Sequence, residues 1–240
     1  MPSISSPPST TRPNSPLAGC HQLLIARADN WTSTTGQLQR WARDSTLSGW
    51  QVVGPAIPVT FGRAGLAWGI GLHPETGSSG TNKQEGDGRA PAGIFAIGEL
   101  FGEAAPDSPF ARALRLPYRH AMPDIKAIDD PASVYYNRIV DQRDIAAPDW
   151  HSHEEMRRAD ARYAVGAVIA HNAAPPVPGA GSCIFLHVWQ ATGRPTAGCT
   201  AGALSDISEI CQWLDGAAAP LLVQLPQAEY QRFRKPWELP

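Results

Sequence analysis

Glycine and proline punctuate this chain too often for long helices to form. There are 22 glycines and 23 prolines among 240 residues. A proline inside a helix costs roughly 3 kcal/mol and a glycine about 1 kcal/mol, so the composition favours many turns joining short strands. β-like runs recur between these signals, at 21–28, 36–43, 50–53, 57–61, 94–97, 163–172, 184–187 and 220–226. In the second, Leu38, Arg40 and Ala42 alternate with Gln37, Gln39 and Trp41, the period of a half-buried strand. Gly54-Pro55 is expected to divide 50–53 from 57–61 as a turn. Helices are expected at only two places. Ser152 and Glu155 form a capping box for a helix to about Arg162, and Ser205 precedes Ile207, Ile210, Cys211 and Leu214 at helical spacing, with Gly216 as the stop.

Other properties bound the function. Hydrophobic residues make up 42% of the chain, ample for a core, and the formal charge of −2 leaves no basic field for nucleic acid. No apolar run approaches the ~20 residues of a membrane span. Residues 1–20 read as a flexible Ser/Pro-rich leader, 21–228 as one domain and 229–240 as a tail. Leu17-Ala18-Gly19-Cys20 has the form of a lipoprotein cleavage box, but the residues before it lack an apolar region. Glu85 and Asp87, in a long polar loop, read as solvated turn residues.

Chemistry concentrates near the end of the chain. A cysteine nucleophile needs a base and a backbone amide free to reach a developing oxyanion. Cys199 follows Gly198 in a polar, turn-rich stretch, and His187 ends the apolar run Ile184-Phe185-Leu186 twelve positions earlier. Strand alternation puts Cys183, Phe185 and His187 on one face and Ile184, Leu186 and Val188 on the other. Gly193-Arg194-Pro195 reads as a turn that folds the chain back, so His187 and Cys199 are expected to meet across neighbouring strands. Among the four cysteines, Cys211 reads as core, Cys183 lies within a strand and Cys20 borders the leader. Thr196 and Ala197 beside the nucleophile are expected to touch substrate, as are His73, Tyr136, Asn137, His171 and Asn172 in the polar stretches upstream. His171 and His73 are the reserve candidates for the base. No spacing suits a metal ion, and no cofactor motif is present.

With these residues laid out, the chain resembles the L,D-transpeptidase family, the YkuD-like catalytic domain of bacterial cell-wall enzymes, over roughly residues 21–226. The likeness is carried by Lys83-Gln84-Glu85-Gly86-Asp87-Gly88-Arg89-Ala90-Pro91-Ala92-Gly93-Ile94-Phe95, similar to the family's TPxG entry, and by Ile184-Phe185-Leu186-His187 and Thr196-Ala197-Gly198-Cys199. Ala197 stands where the family usually has a second histidine and Ala201 where it has an arginine, and the His187–Cys199 spacing is shorter than usual. The resemblance implies a mainly β sandwich with a few peripheral helices. It also implies a periplasmic or wall-facing enzyme that needs neither metal nor cofactor.

The implied reaction is acyl transfer between peptidoglycan stem peptides. Cys199 attacks the carbonyl of the third residue of a tetrapeptide donor, His187 carries the thiol proton to the departing D-alanine, and an amine from a second stem resolves the thioester. Amides of Gly198 and Cys199 are expected to hold the oxyanion, at about 3 kcal/mol per donor. A nearby imidazolium is expected to lower the thiol pKa modestly from about 8.5. Two alternatives share the sequence features: a thiol hydrolase (an L,D-carboxypeptidase or an amidase releasing wall-attached protein), and a non-catalytic wall-binding module using Trp and Tyr.

Overall fold

The punctuation resolves into thirteen strands and three short helices in the computed structural model, which describes residues 15–46, 48–74 and 80–240. Strand makes up 35% of the structure and helix 14%, so the protein is mainly β. The first three strands, β1 (Gln22–Ala28), β2 (Thr35–Ala42) and β3 (Gln51–Thr60), pair antiparallel in chain order. β3 is continuous where two strands were expected. Gly54 takes φ 64° and the β2–β3 register shifts between Leu38 and Arg40, so the Gly-Pro pair bends the strand without ending it.

β4 (Leu66–Trp68) emerges from the segment expected to be mostly polar loop, and β5 (Ala90–Gly102) is the strand expected at 94–97, extended in both directions. Then come α1 (Pro109–Arg112), β6 (Tyr118–His120), β7 (Ile125–Ala127), β8 (Ile139–Asp141), β9 (Glu154–Glu155), β10 (Val165–Ile169), β11 (Phe185–Val188), β12 (Thr200–Gly202), α2 (Leu204–Trp213), β13 (Leu221–Pro226) and α3 (Gln227–Arg234).

Eight strands close into a ring in the order β10-β11-β12-β3-β2-β1-β13-β5, because β5 pairs with β13 at one end and with β10 at the other. A barrel therefore stands where a sandwich was expected. The cause is β5, whose 13 residues reach two partners and so leave neither with an open edge. A second sheet, β8-β7-β9, lies outside the ring.

The capping box at Ser152 starts no helix. Glu154 and Glu155 pair as a strand with β7, and Lys126 Nζ holds a Glu155 carboxylate oxygen at 2.6 Å. Strand pairing plus this ion pair outweighs a cap worth about 1 kcal/mol. In α2, Ile207, Ile210 and Cys211 are buried as the spacing predicts, but the N-cap is Ala203 and Ser205 makes no capping bond. Gly216 falls in a 3-10 turn beyond the helix end.

The expected tail is part of the domain: α3 packs on β13 and β1, and Tyr230, Trp237 and Leu239 are buried in the main core. The expected leader also gives up its last residues. Leu17 and Cys20 are buried, with their carbonyls bonded by the Arg43 guanidinium at 2.7 Å each. The rest of it, residues 1–14, lies outside the described residues.

Two apolar clusters divide on the faces of β11. Ile184, Leu186 and Val188 enter the main core with β1, β13 and α2. Cys183 and Phe185 face a smaller cluster with Phe101, Ile125, Met156, Tyr163 and Cys199, roofed by the second sheet. Phe101, Phe185 and Tyr163 meet edge to face with centroids 5.1–5.5 Å apart. Such pairs add roughly 0.5–1.5 kcal/mol each beyond burial and hold this face of β11 rigid. No helix among the described residues is long and apolar enough to cross a membrane.

Candidate active site

His187 lies on β11, and Cys199 immediately precedes β12. These strands are parallel neighbours with Leu186 opposite Thr200 and His187 opposite Ala201. The connection between them is anchored at Thr196, whose amide bonds Phe61 O at 2.9 Å and whose carbonyl takes the Arg63 amide at 2.9 Å. The fold thereby places both residues on one 230 Å³ cavity. Both are largely covered, Cys199 at 7% exposure and His187 at 5%.

The resting sulfur does not bond the imidazole. Cys199 Sγ accepts from the Phe185 amide at 3.3 Å and donates to Cys183 O at 3.4 Å. Burial pushes its pKa up to about 12, the nearby Glu154 carboxyl adds to this, and the Phe185 amide opposes it. Burial moves His187 the other way, to about 4, against hydrogen bonds to backbone that favour its charged form. The thiolate–imidazolium pair expected from the sequence is therefore not favoured at rest: burial of the two side chains favours the neutral form of both. His187 Nδ1 faces Val188 O at 2.8 Å. A carbonyl can only accept, so Nδ1 carries the hydrogen, and a second backbone contact, with Arg162, also favours the charged ring.

Gly198 departs from its expected role. Its amide donates to Thr196 Oγ1 at 3.1 Å while that hydroxyl donates to Cys199 O at 2.6 Å, so an oxyanion must first displace it. On the far side of the turn a Cβ at this position would stand 3.2 Å from Arg89 O, a tight contact that the neighbour would have to relieve by a few tenths of an ångström. Thr196 and Ala197 line the cavity.

The other five expected substrate contacts lie elsewhere, in roles of support. His171, fully engaged, accepts from the Ile70 amide at 3.1 Å and faces Ala180 O at 3.0 Å. Asn172 clamps Val177 and Gly181. Asn137 donates to the carbonyls of His171 and Asn172 and accepts from the Cys183 amide, locking the entry to β11. The Tyr136 hydroxyl donates to Glu85 at 2.6 Å. His73 accepts from the Ile94 amide at 3.1 Å and packs among Trp68, Phe95 and Trp237.

Several cavity residues were missed from sequence. Arg158, Arg162 and Tyr163 line it together with Glu154, and Arg194 belongs to the connecting loop that had read only as a turn. The Tyr163 hydroxyl donates to Glu154, whose buried carboxyl is held above its ordinary pKa, and the Tyr163 ring stands edge to face against His187 at 5.2 Å. Arg158 and Arg162 fall within the stretch where a helix to about Arg162 is expected from the sequence and does not form.

Glu85 and Asp87 are not solvated turn residues. Glu85 accepts from Tyr136 and Ser182, while Asp87 holds the buried Lys83 ammonium at 2.6 Å and the amides of Gln84 and Arg89 at 2.9 Å. Lys83 Nζ would lie 3.8 Å from a Cβ on Gly198, so this ion pair sits against the nucleophile turn. Asp87→Asn leaves the buried ammonium without a counter-charge, with the Gln84 carbonyl at 2.8 Å as its remaining backbone acceptor, and is expected to cost about 3 kcal/mol. Lys83→Met should cost roughly half that by the same argument, because Asp87 keeps its two amide donors. Urea denaturation checks the order, and the reverse order would contradict this account of the ion pair.

The buried imidazoles predict acid sensitivity. His171 and His187 are both lowered by burial to about 4. An unfolded histidine titrates near 6.5, so their stabilising contribution is complete above that pH and is lost as pH falls towards 4. The loss reaches about 2 kcal/mol for each by pH 5. Glu154, shifted upward, acts in the opposite sense. Thermal unfolding should show Tm falling by about 10 °C between pH 7 and pH 5. A flat profile there would mean that these rings are not held neutral.

Compared with protein-family models, curated proteins and solved structures, the chain matches none. No group of three or more His, Cys, Asp or Glu among the described residues is placed to hold a metal ion.

Proposed function

We propose that this protein is a cysteine acyltransferase of the L,D-transpeptidase type, acting on peptidoglycan stem peptides in the periplasm or at the wall. One observation carries the reading: parallel pairing of β11 with β12 brings His187 and Cys199 onto the same cavity, where burial keeps the resting imidazole neutral. Cys199 rotates out of its contacts with Phe185 and Cys183 as the donor carbonyl arrives. The S–C bond forms as His187 takes the thiol proton, and the C–N bond to D-alanine breaks as that proton reaches the leaving amine. An acceptor amine then attacks the thioester and returns the thiol. The low dielectric that holds both groups neutral also strengthens every donor aimed at the oxyanion.

The test is mass spectrometry of muropeptides after incubation with the pure protein. A cross-linked dimer with loss of D-alanine supports the transferase. A tripeptide without dimer supports the hydrolase on the same nucleophile, and an unchanged tetrapeptide removes the enzyme reading.

A further inference from the structure

We propose that the cavity at Cys199 binds a carboxylate of the acyl donor through Arg194, with Arg158 and Arg162 on the same cavity, so that it selects anionic acyl donors. This rests on Cys199 being the acyl-accepting thiol. Arg158, Arg162 and Arg194 all line the 230 Å³ cavity that Cys199 also lines. Two of them share a single carboxylate: Asp160 takes Arg158 at 3.1 Å and Arg162 at 2.7 Å. The one acid of the lining, Glu154, accepts from Tyr163, and burial favours its uncharged form. Arg194 makes no ion pair among the described residues and is exposed on the β11–β12 connection, five positions before the nucleophile. The lining thus carries more positive than negative charge, with one cation available to a ligand. A planar guanidinium matches a carboxylate fork.

The probe is a pair of small alkylating agents, iodoacetate and iodoacetamide, with the Cys199 adduct read by peptide mapping. In both, the thiolate displaces iodide: an S–C bond forms and the C–I bond breaks. Because thiolate formation is common to the two, the ratio of their rates isolates the carboxylate. The ratio at Cys199 should exceed that of free cysteine about threefold or more, the scale of one partly exposed guanidinium–carboxylate contact. Arg194→Gln should return it towards the free value, and 0.5 M salt should lower it. Arg112→Gln, a surface change on α1 outside the cavity lining, should leave it high.

A wild-type ratio in Arg194→Gln, an equal fall in Arg112→Gln, or no Cys199 adduct even at pH 9.5 would each overturn the assignment. The reagents contain no peptidoglycan, so failures separate. A high ratio without muropeptide turnover removes the peptidoglycan substrate and keeps the carboxylate site. Turnover with an ordinary ratio does the opposite.

Discussion

Cys199→Ser is expected to lower acyl transfer by about 10³-fold or more while the protein stays folded. The sulfur lies in the smaller apolar cluster and accepts the Phe185 amide at 3.3 Å. Serine keeps an acceptor there, so Tm should change by only a few degrees. Cys199→Ala should lose turnover equally but unfold earlier, because the buried Phe185 amide loses its partner at a cost of about 1–2 kcal/mol. Muropeptide turnover and thermal unfolding, measured on the same preparations, check the pair. Retention of more than about a tenth of the activity in Cys199→Ser would remove Cys199 as nucleophile, since a hydroxyl without strong activation does not replace a thiolate. Cys183 would then be the thiol to examine, as it shares the same apolar cluster.

His187→Gln is expected to lower turnover by about 10²–10⁴-fold, the range of a lost general base. Its effect on resting thiol reactivity should be small. With the thiol pushed up to about 12 and the imidazole down to about 4, no ion pair forms before substrate arrives. Iodoacetamide alkylation of Cys199 should therefore keep rising past pH 9 in both wild type and variant. A plateau near neutral pH, lost in His187→Gln, would mean a preformed thiolate–imidazolium pair. Undiminished turnover in the variant would mean that His187 is not the base. His171 would be a poor substitute, because both ring nitrogens are occupied by Ile70 and Ala180.

Much of this arrangement was legible in residue order. Alternation assigned Phe185 and His187 to one face of β11 and Leu186 to the other, and the structure sorts Phe185 and Leu186 into separate clusters. β12 does lie beside β11, but parallel to it. The chain therefore returns by a crossover through 189–199, and the turn at Gly193-Arg194-Pro195 does not by itself fold one strand back on the other. Periodicity succeeds here because it depends on local backbone geometry, which tertiary packing then uses without altering.

The misses share a different cause. Ser152 and Glu155 have the chemistry of a helix start, but Lys126 and β7 offer Glu155 more than a helix would. Asn137, His171 and Asn172 look like substrate contacts because they are polar and clustered. They prove to satisfy the backbone where the chain enters β11. Polar residues in a buried loop serve backbone groups first, since each unpaired one is costly.

Sequence alone determined that this chain is mainly β, which faces of its strands are apolar, and that a histidine and a cysteine end neighbouring segments. Those properties follow from side-chain period and turn chemistry, which act over a few residues. Tertiary structure decided the closure of eight strands into a ring, the neutral state of the His187–Cys199 pair and the arginines around it. Closure depends on β5 meeting both β13 and β10. The protonation states depend on how completely Tyr163, Phe185 and their neighbours exclude water from the site. Desolvation is set by residues far apart in the chain, so it exists only once they have been packed together.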